Sequence, residues 1–188
     1  MTILVDMDET ISGLLDAWTG CLKGRYGIGV CRDDIKDWDM QKAYPELSKE
    51  QIYAPLLEES LWESVEPLPG AAHYIKKLMD EGHDIVIVTA SHYDSIRMKM
   101  RNVLLRHFPF VPYENVIITS RKQMVMGDVL VDDYPGNLIG GSYRGILFDV
   151  PHNRKFEEEK YGIIRAKLWD DVYSILKSIE KEIQDDCN

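Results

Sequence analysis

Asp6-Met7-Asp8-Glu9-Thr10 sets two carboxylates two positions apart, directly after the apolar run Ile3-Leu4-Val5. At the end of a strand such a pair can divide labour, one group attacking or holding a cation while the other moves protons. A solvated turn or a helix cap would use the same residues. A second pair, Asp132-Asp133, follows Val129-Leu130-Val131. Adjacent carboxylates repel strongly when desolvated unless a cation or a proton intervenes. A hard divalent cation such as Mg²⁺ takes oxygen ligands and leaves positions for water and a phosphate oxygen. The competing reading is an acidic turn before Pro135-Gly136.

Two further strand ends carry polar groups. Thr89 closes Ile85-Val86-Ile87-Val88 and leads into Ala90-Ser91-His92. Its hydroxyl can hold a phosphate oxygen while the next helix aims its N-terminal amides at the same anion. Ser91 serves equally well as that helix's N-cap. In Thr119-Ser120-Arg121-Lys122 a fixed cation beside clustered carboxylates would neutralise a nucleophile and stabilise charge on a transferring phosphoryl group. Spacing leaves Arg121 and Lys122 both open for that role. His73, His83, His92, His107 and His152 lack metal-ligand spacing and read as surface or core. Gly27-Ile28-Gly29 lacks the third glycine of a dinucleotide loop, and no Gly-x-x-x-x-Gly-Lys occurs, which disfavours NAD and ATP binding by those devices.

The elements that must position these groups are legible as an alternation. Short apolar runs at Ile3 to Val5, Ile85 to Val88, Val116 to Ile118, Val129 to Val131 and Ile146 to Phe148 predict strands buried on both faces of a parallel sheet. Between them lie helical periods. Ala71, Ile75, Leu78 and Met79 follow Pro69-Gly70, with Gly82 as the left-handed terminator. Segment 94–108 turns Ile96, Met100, Val103, Leu104 and Phe108 inward, and the last helix carries Val172, Ile175, Leu176, Ile179 and Ile183. The class is α/β. From Val5 to Ile85 the chain far exceeds the roughly dozen residues of one crossover, so an insertion emerges after the first strand. Residues 14–68 hold helical stretches at Leu14 to Tyr26 and Lys49 to Glu59, the aromatics Trp38, Tyr44, Tyr53 and Trp62, and an exit with Pro67 and Pro69 as a rigid hinge. This predicts a small helical cap, with residues 1–13 and 69–188 forming the core.

With 188 residues, 45% hydrophobic, one globular unit can bury about 70% of its unfolded surface without disulfide or metal staples. Twenty-two basic against 32 acidic residues give a net charge of −10, which argues against tracking polymeric nucleic acid or an anionic membrane. It leaves small phosphorylated ligands open. Cys21, Cys31 and Cys187 are odd in number and lack Cys-x-x-Cys spacing, consistent with reduced thiols. No leader and no membrane-length apolar run is apparent, so a cytoplasmic location is expected.

Asp6-x-Asp8-x-Thr10, Thr89, Lys122 and Asp132-Asp133, in that order, resemble the four motifs of the haloacid dehalogenase (HAD) superfamily of phosphohydrolases. More narrowly, Ile117-Ile118-Thr119-Ser120-Arg121-Lys122, Gly127 to Asp133, Glu66-Pro67-Leu68-Pro69-Gly70-Ala71 and Ile146-Leu147-Phe148 leading to His152-Asn153 resemble the 5'(3')-deoxyribonucleotidase family over nearly the whole chain. The resemblance implies a Rossmann-like three-layer core with a central parallel sheet. It implies Asp6 as nucleophile forming an aspartyl-phosphate, and Asp8 as the acid and then the base. Mg²⁺ would be held by Asp6, the Asp8 carbonyl and Asp133, with Asp132 beside it, and the phosphate by Thr89, Ala90, Ser91 and Lys122, with Lys122 preferred over Arg121.

Several positions depart from the family pattern. Ala90 removes a hydroxyl unless Ser91 substitutes. Ser120 stands where an arginine is usual and Arg121 one place later. Glu9 replaces a glycine, and Leu14 an aromatic that stacks on the base. Leu14, Ser120 and Arg121 are thus the substrate-pocket candidates. The expected activity is Mg²⁺-dependent hydrolysis of deoxyribonucleoside 5'(3')-monophosphates. The alternatives are hydrolysis of another small phosphorylated metabolite, or noncatalytic binding of one. Cap residues could also mediate a homodimer.

Overall fold

The computed structural model describes residues 1–186, and Cys187 lies outside them. In chain order the principal elements are β1 (Thr2–Val5), α1 (Leu14–Tyr26), α2 (Lys49–Tyr53), α3 (Glu59–Glu63), α4 (Ala71–Asp80), β2 (Asp84–Thr89) and α5 (Tyr93–Lys99). There follow β3 (Val116–Ile118), β4 (Val129–Asp132), α6 (Pro135–Leu138), β5 (Arg144–Phe148), β6 (Ile164–Ala166) and α7 (Trp169–Asp186). All strand pairs are parallel and the order is β3-β2-β1-β4-β5-β6. The chain winds outward from β1 to one edge, returns to β4 and winds to the other. A crevice therefore opens at the carboxyl end of β1, where the winding reverses.

Strand alternation explains the layers. Ile3, Val5, Ile85, Ile87, Val129 and Val131 face Ile75 and Leu78 of α4 and Val172, Leu176 and Ile179 of α7. Leu4, Val88, Leu130 and Leu147 face the opposite way, against Leu138, Tyr143 and Ile163. Gly82 takes φ +88° just past α4, as its position predicted. β6 is a strand the sequence did not announce. Ile164-Arg165-Ala166 is short and interrupted by a charge, and only pairing with β5 defines it.

Residues 14–63 add α1 to α3 beside the sheet, with Trp18, Leu22, Ile35, Met40, Tyr44, Ile52, Leu61 and Trp62 buried. Trp18 donates its indole N–H to Ile52 O at 2.7 Å and Trp62 to Leu56 O at 3.0 Å. The insertion's entry and exit are stitched by Gly13 N to Glu66 O and Leu68 N to Ile11 O, both 2.9 Å. The predicted continuous helix over 94–108 is interrupted: α5 passes at Met100–Leu105 into a π-helical turn. Of its expected inward stripe, Val103, Leu104 and Phe108 are buried, whereas Ile96 and Met100 are only partly so. Cys21 and Cys31 are free thiols. Among the described residues no helix is long and apolar enough to cross a membrane.

Candidate active site

β1 delivers Asp6 and Asp8 to the crevice, and β1's last bond to β4, Asp6 N to Val131 O at 3.0 Å, fixes Asp6 beside the end of β4. The loop beyond is rigid: Met7 O accepts from Ile11 N and Ser12 N, and the buried Trp169 indole donates to Thr10 O at 2.8 Å. Asp6, Asp132 and Asp133 each present a carboxylate oxygen within 4.8 Å of the others, and all three residues are buried.

Lys122, 2% exposed, reaches into this cluster. Its ammonium pairs with Asp6 and lies 2.6 Å from Asp132 Oδ2. Burial alone would lower its pKa, but the two carboxylates hold it above the ordinary lysine range. Asp132 has both oxygens engaged, Oδ1 by Tyr134 N at 2.8 Å and Asn137 Nδ2 at 3.1 Å, Oδ2 by Lys122 and Asn137. Neither oxygen of Asp133 has a hydrogen-bond partner. His152 Nε2 lies 2.9 Å from Asp133 Oδ2 but is not aligned to donate. Burial, then the neighbouring carboxylates, pushes Asp132 up to about 6 and Asp133 well above the carboxylate range, against the pull of Lys122. Burial, then Arg32, lowers His152 to about 4. A buried carboxylate with both oxygens unpaired, beside two more, is a donor set with room for a hard cation.

On the other side of β1, Asp8 accepts from Lys99 Nζ at 2.7 Å through Oδ2, while its Oδ1 has no partner. Lys99 also donates to Thr89 Oγ1 at 2.7 Å and Ala90 O at 3.0 Å. Partial burial raises the Asp8 pKa, against the pull of Lys99. Lys99 was missed in the sequence, though a signal was present: it lies three residues after Ile96 and four before Val103, a charge within an apolar stripe. The π-helical turn that begins at Met100 keeps Val103 and Leu104 in the core while Lys99 turns to the site, a frequent setting for such turns.

Three cavities meet here. Asp6, Asp8, Ala90, Ser120, Lys122, Asp133 and Asn137, with Trp38 and Tyr134 at its wall, line one of about 190 Å³. Leu14, Tyr53, Leu56, Trp62, Ser91, Ser95 and Lys99 line an apolar one of about 610 Å³ that reaches Asp8. Leu14, Trp18, Ile35, Trp38, Met40, Tyr53 and His152 line a third of about 200 Å³, also open to Asp8. The structure brings Asp6, Asp8, Ala90, Lys122, Asp133, Leu14 and Ser120 together around these cavities, with Thr89 and Asp132 joined to them through Lys99 and Lys122.

Other expectations are corrected. Ser91 faces the large apolar cavity, its hydroxyl 3.2 Å from Ser95 Oγ, and the cap of α5 is His92, whose Nδ1 accepts from Asp94 N. Arg121 is exposed and lines none of the three cavities. Of the insertion's aromatics, Tyr44 is fully buried, whereas Trp38, Tyr53 and Trp62 line the cavities. His152, read as ordinary surface or core, stands against Asp133.

Asn153, 2% exposed, was noted only as part of a pattern. Its Nδ2 donates to Asp133 O at 2.7 Å and Phe148 O at 2.8 Å, tying the ends of β4 and β5 together. Arg165 of β6 donates to its Oδ1 at 2.8 Å and braces the same loop through Asp149 and Glu158.

Residues 1–182 match the family described as 5' nucleotidase, deoxy (pyrimidine), cytosolic type C protein. The chain belongs to that family. Fellow sequences include the 5'(3')-deoxyribonucleotidase of Clostridium acetobutylicum, 31% identical over 180 residues covering 95% of this chain and 96% of that protein. The 5'(3')-deoxyribonucleotidase of Bacillus subtilis is 30% identical over 171 residues, 90% of this chain and 95% of that one. In fold, this nucleotidase-family chain is similar to a haloacid dehalogenase-like protein of Agrobacterium tumefaciens, with TM-score 0.64 and 13% identity over 95% and 98% of the two chains. It is also similar to a HAD family hydrolase of Deinococcus radiodurans with bound phosphate and sodium, with TM-score 0.61 and 12% identity over 94% and 95%. Family membership makes the protein a HAD-fold enzyme of the nucleotidase class.

Proposed function

We propose that the protein hydrolyses deoxyribonucleoside 5'(3')-monophosphates through an aspartyl-phosphate on Asp6, with Mg²⁺ as its cation, and that residues 14–68 cap a core of 1–13 and 69–188. The observation that carries the reading is the division between the two carboxylates that follow β1: Asp6 is paired with Lys122 beside the acidic cluster, and Asp8 is held apart by Lys99. Asp6 attacks phosphorus as the bond to the nucleoside oxygen breaks, and Asp8 gives its proton to that oxygen. The raised pKa of Asp8 keeps the proton available. Asp8 then takes a proton from water as the water oxygen attacks phosphorus, and Asp6 is released with inorganic phosphate.

Lys122, Lys99 and the Thr89 hydroxyl stabilise the phosphoryl oxygens, with Ala90 lining the same space. Asp6, Asp133 and the Asp8 main-chain carbonyl would hold Mg²⁺, with Asp132 orienting Lys122 beside them. The saturated hydrogen bonding of Asp132 and the unpaired oxygens of Asp133 support that assignment. When bound, the cation supplies positive charge to the transferring phosphoryl group. The apolar cavities on either side of Leu14 suit a deoxyribose and base.

The test is phosphate release from deoxyribonucleotides, ribonucleotides and sugar phosphates with and without Mg²⁺. Mg²⁺-dependent release strongest on deoxyribonucleotides is expected, with Asp6→Asn lowering turnover by at least roughly 10⁴-fold and forming no phosphoenzyme. Release from sugar phosphates alone would remove the nucleotide assignment, and an active Asp6→Asn protein would remove the mechanism.

A further inference from the structure

Glu9 is unusual in two respects. Among the described residues it is the only non-glycine with positive φ, +57°, a conformation that glycine adopts freely and a residue with a Cβ does not. It is also a carboxylate only 2% exposed, immediately after Asp8. Strain retained beside a reactive group points to a use for the side chain.

The contacts identify that use. Glu9 Oε1 accepts from Leu15 N at 2.7 Å, in the first turn of α1. Oε2 pairs with the Arg32 guanidinium, whose Nη1 lies 3.1 Å from Asp16 Oδ2. Arg32 begins the segment 32–40, which carries Ile35, Asp37 and Trp38 into the wall of the small cavity beside Asp8. Trp38 then reaches across to the loops after β4 and β5, its ring centroid 5.6 Å from Tyr134 and 4.8 Å from His152. Ile35 and Met40 pack the segment into the core; its other ion pair to the core, Asp33 to Arg154 at 3.0 Å, is solvent-exposed on both sides, and such pairs contribute little. The inner ionic fastening of this strap, at its Arg32 end, is therefore Glu9 to Arg32.

We propose that Glu9 is a positioning residue for substrate selection: through Arg32 it fastens the 32–40 strap, so that Trp38 closes the small cavity over the nucleoside part of the substrate. The identity of that leaving group rests on the nucleotidase reading, whereas the fastening itself does not. Trp38 also forms part of the wall of the cavity holding Asp6 and Lys122, but the strap supplies no charged group there and Glu9 contacts neither Lys122 nor Lys99, so the effect is on enclosure while the ionic partners of the phosphate stay in place.

The experiment compares wild type with Arg32→Ala, Arg32→Lys and Glu9→Gln in the full chain. In Arg32→Ala, KM for thymidine 5'-monophosphate rises at least roughly fivefold with kcat within about twofold, the signature of lost uniform binding. Inhibition by inorganic phosphate stays within about twofold, and Arg32→Lys restores part of the loss. Acrylamide quenching of Trp38, taken as the difference from a Trp38→Phe background, increases in Arg32→Ala and Glu9→Gln. Unchanged Trp38 quenching in both variants would overturn the proposal, as would a fall in kcat and phosphate binding in step with KM. If wild type turns over no nucleotide, the nucleotidase reading fails while Trp38 quenching still decides the fastening.

Discussion

The two flanks of β1 are built alike and charged differently. On each, a lysine no more than 2% exposed joins one of the aspartates that follow β1 to the end of a neighbouring strand: Lys99 joins Asp8 to Thr89 of β2, and Lys122 joins Asp6 to Asp132 of β4. On the β2 flank one ammonium meets one carboxylate and a hydroxyl. On the β4 flank one ammonium meets Asp6 and Asp132, with Asp133 behind them and unpaired. The first flank is balanced and suits proton transfer. The second carries excess negative charge in a desolvated place, which favours a cation.

Removing each lysine tests that contrast with the largest expected effects. Lys122→Met should lower kcat by on the order of 10²–10³-fold and tighten the metal requirement, because Asp6 and Asp132 lose their only close ammonium among the described residues. Lys99→Met should lower kcat by about 10²-fold and also move a pH limb. Lys99 holds the Asp8 pKa down, so its loss raises that pKa. The alkaline limb of kcat/KM, which reports loss of the Asp8 proton, should shift to higher pH. A limb unmoved in Lys99→Met would break the assignment of Asp8 to the balanced flank.

A smaller effect sharpens the acidic flank. Asp133→Asn should weaken Mg²⁺ binding by calorimetry by about 10²-fold, and Asn153→Ala, which removes the bonds to the Asp133 and Phe148 carbonyls and those from Val150 N and Arg165 but no candidate ligand, by about tenfold. Equal affinity in wild type and Asp133→Asn would place the cation elsewhere.

The smallest effect lies away from both flanks. His83 is buried with neither ring nitrogen hydrogen-bonded, 3.7 Å from Glu180 and within the fields of Lys177, Glu81 and the N-terminal amine. Burial lowers its pKa below the ordinary 6.5. The folded state thus binds this proton less tightly than the unfolded one, so His83's contribution to stability is present above about pH 6.5 and lost as pH falls through the folded value. Replacing His83 with Gln should flatten the fall in Tm below pH 6.5 by about 2–4 °C at most.

The difference between the flanks is also the difference between what could and could not be read beforehand. Lys122 lies four residues past β3, so chain order carries the Arg121-Lys122 pair toward the sheet's ligand edge, and the family resemblance prefers the lysine. Lys99 is ten positions from Thr89, and only the winding of α5 into a π-helical turn brings its ammonium back to that hydroxyl. Asn153 and Arg165 show the same limit: each makes its bonds across strands, and β6 itself exists only through its pairing with β5.

The sequence by itself determined the α/β alternation, the insertion after β1, and the aspartates, threonine and lysine at the strand ends. Those features depend on local periodicity and on a residue's place within its own strand or turn. The tertiary structure decided which of two adjacent aspartates is left unpaired, that Ser91 faces the large apolar cavity and Arg121 the solvent, and that Lys99 meets Asp8 while His152 and Asn153 stand against Asp133. Those outcomes depend on desolvation and on hydrogen bonds between groups far apart in the chain, and a buried polar group's partners are settled only when the strands and helices carrying them have packed.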